Sequence, residues 1–173
     1  MNIPLSWLKD FVDVDLPLEE LARVMTMAGL EVDEIHLMGL PGPEDDRHGF
    51  KFTGLSWPED KFVVAEIREV NKHPDADKLV LCRLEDGTGE HTILTGAPNL
   101  YPYVGKGRLE QPIKVAYARE GAILYDGHKP GFELTKLKKT KIRGFETKSM
   151  VCSAKELGIS EEHEGIIILE PDA

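Results

Sequence analysis

Residues 62–84, FVVAEIREVNKHPDADKLVLCRL, contain two apolar runs separated by a polar turn, and this pattern decides the fold. The runs FVVAEIREV and LVLCRL are rich in Val, Ile and Leu, and the His-Pro-Asp between them is typical of turns. Four further short runs, HTILT, IKVAYA, AIL and ELTKLKK, follow before residue 140 and are separated by turn-forming residues. Short strands without intervening helices predict a small antiparallel barrel, and a five-stranded barrel of the OB type fits this length.

The residues before the barrel have a different pattern. Ser6 is expected to cap a short first helix, and Pro17 begins a second helix that Gly29 ends. LEVDEIHLM, residues 30–38, then predicts a strand. Residues 40–60 are rich in Gly, Pro and acidic residues without a helical or strand period, which predicts a linker or long loop.

The residues after the barrel are few. SAKELGI predicts a helical turn that begins at Ser153, and EGIIIL, residues 164–169, predicts a compact strand. The sequence contains no internal repeat and no low-complexity tract.

Charge is distributed unevenly along the chain. The 173 residues include 21 Lys and Arg against 31 Asp and Glu, a formal net charge of −10. Residues 1–60 have a net charge of −9, residues 61–155 of +5 and residues 156–173 of −6. The densest basic stretch is LKKTKIRGFETK, residues 137–148, a pattern found both at polyanion-binding sites and on ordinary solvated surfaces.

Several classes of protein are excluded or disfavoured. Purely apolar runs such as residues 166–169 are far shorter than the roughly 20 residues of a membrane-spanning helix. The N-terminus has no secretory signal pattern, so a cytoplasmic protein without membrane contact is expected. Cys82 and Cys152 have no partner at ligand spacing, which predicts buried, reduced thiols rather than a disulfide or a zinc site.

No motif for catalysis or nucleotide binding is present. The segment GKGR, residues 105–108, lacks the spacing of a phosphate-binding loop, and no nucleophile lies in a recognisable pattern with a base. His73, Asp75 and Asp77 could in principle bind a cation, but Asp side chains in such loops usually accept hydrogen bonds from nearby backbone amides. We expect no metal site and no catalytic residue.

The segments FVVAEIREVNKHPDADKL, TGAPN and KIRGFETKSMVCSAKELG strongly resemble the tRNA-binding OB module at the N-terminus of bacterial phenylalanyl-tRNA synthetase β subunits. SWLKDFV, followed by a helix that ends in MAGLEVDEI, resembles the opening of the same subunits. The most specific elements are KHPDADKL and the later CSAKELG, in that order. The resemblance covers nearly all of the chain outside residues 40–60.

The resemblance implies an α+β fold with an inserted all-β domain. Residues 1–39 and 153–173 would form the two parts of one small discontinuous α+β domain, the second part truncated. Residues 40–60 would be an acidic linker, and residues 61–152 the five-stranded OB-type barrel inserted into that domain.

The resemblance also implies function and partners. The chain would bind tRNA as an accessory module, without catalysis, for an enzyme that attaches phenylalanine to tRNA(Phe). ATP and magnesium are implied for the parent enzyme and no cofactor for this fragment, because the family's aminoacylation site lies on the α subunit. The partners implied are tRNA, the α subunit and the remainder of the β subunit, in a heterotetramer of two α and two β subunits.

The candidate tRNA-binding residues are basic and polar groups expected on loops that border the barrel. Phosphate contacts by such groups would set affinity rather than sequence preference. Tyr101, Tyr103 and Phe145 are the aromatic residues near basic loops, and stacking on bases and internal packing are equally compatible with the sequence. The candidates are Lys72, His73, Lys78, Asn99, Lys106, Arg108, Lys136, Lys138, Lys139, Lys141, Arg143 and Ser149.

The sequence departs from the family pattern in three places. Ser149-Met150 replaces the Gly-Met of many relatives, and both YPYVGKGRLEQP, residues 101–112, and the linker at residues 40–60 are longer than usual. The alternative function is a structural module that docks against the rest of the synthetase with little RNA contact. The net charge of only +5 over residues 61–155 and the acidic flanks favour that alternative.

Overall fold

The structure, a computed structural model, describes residues 2–43 and 49–172. Most of its regular elements are strands. Its helices are α1 Leu5–Lys9, α2 Leu18–Met27 and a 3-10 helix, Pro98–Tyr103. Its strands are β1 Glu34–Gly39, β2 Lys51–Ser56, β3 Phe62–Lys72, β4 Val80–Glu85, β5 Glu90–Thr95, β6 Arg108–Ala118, β7 Ile123–Tyr125, β8 Leu134–Lys136, β9 Thr140–Ile142, β10 Phe145–Thr147 and β11 Met150–Val151.

The described chain divides into two compact units. The first contains the residues up to Leu37 and those from Gly42 to Thr53, and the second contains Met38–Pro41 and the residues from Gly54 onward. The second unit is built on a five-stranded antiparallel sheet in the order β11-β6-β3-β4-β5. Because β11 also lies beside β5, the sheet forms a nearly closed barrel. The predicted five-stranded barrel is therefore confirmed.

The long strand β3 contains a bulge, which changes the set of its side chains that point into the barrel. β3 pairs with β4 on one side and β6 on the other, and both registers shift between Ile67 and Glu69. Side chains alternate along a strand, so Ala65 and Ile67 point inward before the shift. After the extra residue the buried position is Val70. β4 keeps strict alternation, with every second side chain buried.

Two apolar clusters hold the second unit together. The larger fills the barrel and includes Ile67, Leu84, Ile93 and Val115, all fully buried. The smaller lies between the end of β6, the β7–β8 hairpin and the residues after β11. Both cysteines are buried and free, as predicted, with Cys82 in the first cluster and Cys152 in the second. The smaller cluster contains Leu55, Ala118, Ala122, Leu124, Tyr125, Cys152 and Leu157.

The first unit contains both α-helices. α2 extends to Met27 and is followed by Gly29 at a φ of 92°, a conformation that glycine adopts without strain, so the predicted helix end is confirmed. α1 begins after Pro4, and the expected cap by Ser6 is wrong because the helix has no side-chain cap. None of the residues of α1 is buried, and Trp7 is 53% exposed. No helix in the described part of the chain is long and apolar enough to cross a membrane.

Two other local predictions are corrected. Residues 51–56, predicted as part of a linker, form β2, which pairs with β1. The sequence pattern does not indicate this strand, because Gly54, at a φ of 112°, lies within it and glycine is rare in strands. Residues 164–169 do not form a strand but contribute one isolated bridge, from Ile168 to Val115. The part of the predicted linker at residues 44–48 lies outside the described residues.

The residues after β11 form turns rather than a helix. Ser153 begins this segment as predicted, and its amide and hydroxyl both donate to Oε2 of Glu156, at 2.7 and 2.8 Å. The Glu156 amide donates back to the Ser153 hydroxyl at 3.3 Å. Reciprocal bonding of this kind is that of a capping box, here closing a turn. The discontinuous α+β domain of residues 1–39 and 153–173 stays a prediction.

Candidate nucleic-acid interface

The structure separates the basic candidates into two groups at opposite ends of β6. Arg108 begins this strand of 11 residues and Ala118 ends it, so the two ends lie up to about 33 Å apart. Lys72, Lys78, Lys106 and Arg108 lie at the first end, and we call them the turn group. Lys136, Lys138, Lys139, Lys141 and Arg143 follow the second end, and we call them the hairpin group.

Hydrogen bonds hold together the two loops that carry the turn group. The Tyr101 hydroxyl donates to the carbonyl of Lys78 at 2.9 Å and to that of Gly96 at 3.3 Å. The Gly105 amide donates to the carbonyl of Val70 at 3.1 Å. The loop before β6 is therefore fixed against β3 and against the β3–β4 turn. Tyr101 acts here as a structural anchor through its hydroxyl.

The turn-group side chains are exposed and largely unneutralised. Among the described residues, Lys72 is the only member with a carboxylate within 4 Å, Asp77 at 2.9 Å. The Lys72 ammonium lowers the pKa of Asp77 by hydrogen bonding and charge. Exposed pairs of this kind contribute little, so Lys72 can exchange Asp77 for a phosphate at low cost. The Lys106 ammonium lies 5.4 Å from the centre of the Tyr103 ring, a cation–π contact.

Two candidates in this region have structural contacts instead of free polar groups. His73 is only 3% exposed, and its Nδ1 accepts a hydrogen bond from the Asp75 amide at 3.1 Å, which stabilises the turn. Asn99 joins the 3-10 helix to the C-terminal segment. Its Nδ2 donates to the Ile166 carbonyl at 2.8 Å, and its Oδ1 accepts from the Ile166 amide at 3.3 Å.

The hairpin group is built on a tight turn between β9 and β10. Ile142 pairs with Phe145, which leaves Arg143 and Gly144 as the two loop residues. Their φ angles are 48° and 85°, and two positive values in succession are what a type I′ hairpin turn requires. Arg143 is therefore an exposed cation at the tip of a hairpin.

The hairpin carries more positive charge than its carboxylate can neutralise. Glu146 pairs with Lys139 at 2.7 Å. Within the described chain, Lys138, Lys141 and Arg143 have no carboxylate within 4 Å, and all three are exposed. Free, closely spaced cations on a narrow projection attract a polyanion, because each can displace a counterion from a phosphate.

Two lysines outside the predicted set border the hairpin group. A Cβ atom added to Gly121 would lie 3.8 Å from Nζ of Lys61 and 3.9 Å from Cε of Lys136, so both lysine side chains pass close to this glycine. In the same region, Nζ of Lys148 lies 3.9 Å from Oε2 of Glu120. Lys61 could have been found from the sequence, because it directly precedes β3, whose first residue pairs with the last of β6.

Ser149 lines an open cleft beside the hairpin group. Its hydroxyl accepts a hydrogen bond from the Tyr117 hydroxyl at 2.7 Å. The cleft has a volume of about 300 Å³. Phe145, an aromatic candidate, is half-buried in β10.

The described residues give no grouping suited to metal binding. Within residues 2–43 and 49–172, no three His, Cys, Asp or Glu side chains are placed to share an ion. Of the residues considered for a cation, Asp77 pairs with Lys72, and Nδ1 of His73 accepts from the backbone.

Comparison with known families defines the class of the barrel. Residues 62–112, from β3 into the first part of β6, match the family model of the putative tRNA binding domain. The turn group lies inside this match and the hairpin group beyond it. The matched segment thus covers three complete strands of the barrel, β3, β4 and β5, and the start of β6.

Similarity to individual proteins extends over the whole chain. The phenylalanine–tRNA ligase beta subunit of Dehalococcoides mccartyi is 43% identical over 173 residues, 100% of this chain and 18% of the relative. That of Protochlamydia amoebophila is 41% identical over 169 residues, 98% of this chain and 17% of the relative. The chain spans less than a fifth of the length of these relatives. It is a homologue of part of the phenylalanine–tRNA ligase beta subunit, which confirms the resemblance found in the sequence.

Proposed function

We propose that this protein is an accessory module that binds tRNA through its backbone phosphates, using the turn group and the hairpin group. The observation that carries the proposal is the concentration of exposed cations without carboxylate partners at both ends of β6. Phosphate contacts of this type hold the RNA in position without reading its sequence. Preference for tRNA(Phe) would then come from other parts of the enzyme.

Six side chains make up the proposed contact. Lys78, Lys106 and Arg108 act at one end of the barrel, and Lys138, Lys141 and Arg143 at the other. His73 and Asn99 are left out because their polar groups are used within the fold. Lys72, Lys136 and Lys139 support the two groups. Separation of the groups by up to about 33 Å means that one RNA must span the barrel to touch both.

The wider assignment is part of the same proposal. The module belongs to a cytoplasmic phenylalanine–tRNA ligase, with an α subunit and the remainder of a β subunit as partners in a tetramer of two α and two β subunits. ATP and magnesium serve that enzyme at a site outside this chain, and the module itself is not catalytic. Residues 1–39 and 153–173 form one α+β domain into which the barrel is inserted.

Two triple variants test the proposal. In one, Lys78, Lys106 and Arg108 are replaced by Ala, and in the other, Lys138, Lys141 and Arg143. Binding of the 173-residue chain to labelled tRNA is measured by fluorescence anisotropy between 50 and 200 mM salt. Each variant should bind more weakly, and the slope of log K against log[salt] should fall by about one for each phosphate that is no longer neutralised.

A third variant controls for net charge. Replacement of Lys9, Arg23 and Lys51 by Ala removes three positive charges from the first unit, where Arg23 and Lys51 already pair with carboxylates. This variant should retain the wild-type salt slope. If all three variants lose affinity equally, only net charge matters and the proposed contact is wrong.

A second candidate function is docking against the rest of the synthetase. The observation that favours it is the exposure of large apolar side chains in the first unit, where Phe11 is 70% and Met27 75% exposed. Apolar groups exposed together mark interaction surfaces. Under this function the chain binds no tRNA even at low salt, and neither basic triple variant differs from wild type.

A further inference from the structure

The cleft beside the hairpin group is formed where several chain segments meet at the end of the barrel. Thr88 and His91 come from the β4–β5 turn and the start of β5, and Tyr117 from the end of β6. Lys148 and Ser149 directly precede β11. Its volume of about 300 Å³ is at the lower end of the range for small-molecule sites, which is about 300–1,000 Å³.

An ion pair between the buried Asp86 and the partly exposed Arg119 fixes one wall of the cleft. The side chain of Asp86 is 3% exposed, and its Oδ2 accepts from Nε of Arg119 at 2.8 Å. Oδ1 of the same carboxylate accepts from the Thr88 hydroxyl at 2.6 Å and contacts Nε2 of His91 at 3.1 Å. Thr88 and His91 are therefore held in place before any ligand arrives. Such preorganisation lowers the entropy lost on binding.

The His91 ring is the exposed aromatic surface of the cleft. Its side chain is 37% exposed, whereas Tyr117 behind it is buried. The two rings are nearly parallel, with an interplanar angle of 26° and centres 6.5 Å apart. Only Nε2 of His91 is engaged, and the described residues offer Nδ1 no hydrogen-bond partner. The ring thus presents both a flat surface and an unused polar atom.

Cations border the cleft on the side of the hairpin group. Lys61 and Lys148 line it, and both pair loosely with exposed carboxylates, Asp60 at 3.3 Å and Glu120 at 3.9 Å. These carboxylates partly offset the lysines, but exposed pairs are weak and easily exchanged. Lys136 of the hairpin group approaches Gly121 alongside Lys61, so the cleft is continuous with the basic surface.

We propose that this cleft binds one unpaired nucleotide of the RNA held by the hairpin group, with the base against His91 and the adjoining phosphate between Lys61 and Lys148. Proteins recognise RNA bases mainly in single-stranded segments, by stacking and by hydrogen bonds to base edges. Thr88 and Nδ1 of His91 supply the polar contacts. The inference rests on the proposed tRNA binding and adds a specific subsite to it.

Replacement of His91 tests the stacking contact. His91→Ala should weaken binding of a labelled single-stranded RNA 12-mer by about fivefold to a hundredfold, the range found for base–aromatic stacking. Binding of a blunt RNA duplex of the same length should be unchanged. His91→Phe keeps a flat ring and should restore most of the lost affinity. His163→Ala removes an exposed histidine elsewhere and serves as the control.

Titration with a mononucleotide gives a direct measurement on the folded wild-type chain. Adenosine 5′-monophosphate should shift the amide resonances of Thr88 and His91, and inorganic phosphate at equal concentration should not. Equal shifts with phosphate alone, or no loss of single-strand affinity in His91→Ala while wild type binds both RNAs, would overturn the nucleotide site and leave the proposed tRNA binding intact. If wild type binds neither RNA at 50 mM salt, both proposals fail.

Discussion

Arg119 clamps Asp86 through two hydrogen bonds, from Nε to the carboxylate at 2.8 Å and from Nη2 to the backbone carbonyl at 2.9 Å. The clamp joins the end of β6 to the β4–β5 turn. Because these segments are far apart in sequence, the pair fixes one end of the barrel. A buried carboxylate with a single cationic partner depends strongly on that partner.

Arg119→Met should therefore destabilise the protein. Removal of the guanidinium leaves the Asp86 charge buried without its cation, a loss of about 3–5 kcal/mol in the free energy of unfolding. Urea denaturation at pH 7 measures it. Arg83→Met is the control, because Arg83 forms exposed pairs with Glu69 and Glu90 and its loss should cost no more than about 1 kcal/mol. Equal losses in the two variants would contradict a structural role for the clamp.

Asp86 also predicts how stability depends on pH. Burial by itself raises the pKa of this carboxyl, but hydrogen bonds from Thr88, Arg119 and His91 outweigh it and hold the pKa well below the ordinary 3.8. A pKa lower in the folded than in the unfolded state adds stability above about pH 4 that is lost as the pH falls further. The stability difference between wild type and Asp86→Asn should therefore shrink from pH 6 to pH 3 in urea titrations. A constant difference would show that Asp86 does not contribute through its charge.

Asn99 should act on stability and not on RNA binding. Its two hydrogen bonds to Ile166 join residues 67 positions apart. Asn99→Ala should lower the free energy of unfolding by about 2 kcal/mol, at about 1 kcal/mol for each bond. Hydrogen exchange at the Ile166 amide should accelerate. The salt slope of tRNA binding should stay at its wild-type value, and a lower slope would instead assign Asn99 to the RNA contact.

The two thiols should be unreactive in the folded protein. Burial raises the pKa of Cys82 to about 12. Burial also raises the pKa of Cys152, and the nearby Glu156 carboxylate adds to the shift. Because the thiolate is the reactive species, neither residue should be modified by a disulfide reagent at pH 8, and both should react in urea. Rapid modification of one thiol without denaturant would show that its cluster opens locally.

Four of the five barrel strands could be predicted because they carry a local signal, whereas β11, only two residues long, carries none. β3 is rich in Val and β4 in Leu, a turn that begins at His73-Pro74 separates them, and the periodicity of β4 needs no information from elsewhere in the chain. β2 could not be found in the same way, since Gly54 interrupts it and its pairing with β1 supplies the missing stabilisation. The apolar run at residues 164–169 predicted a strand, but the structure shows one isolated bridge there, from Ile168 to Val115.

The sequence offers the residues of the candidate interface but does not show how they are arranged in space. The sequence indicates which residues are cationic, and the structure divides them between the ends of β6. His73 resembles a surface residue in its polar loop, yet the turn buries its ring. The cleft could not be predicted, because Asp86, Arg119 and Ser149 meet only when the barrel closes.

The bulge after Ile67 makes β3 unusually intolerant of changes in length. Removal of one residue there would restore simple alternation and turn Val70, the last buried side chain of the strand, outward. The β7–β8 connection has no such register to keep. Natural insertions and engineered tags should therefore accumulate between Asp126 and Glu133, while the number of residues in β3 stays fixed among functional variants.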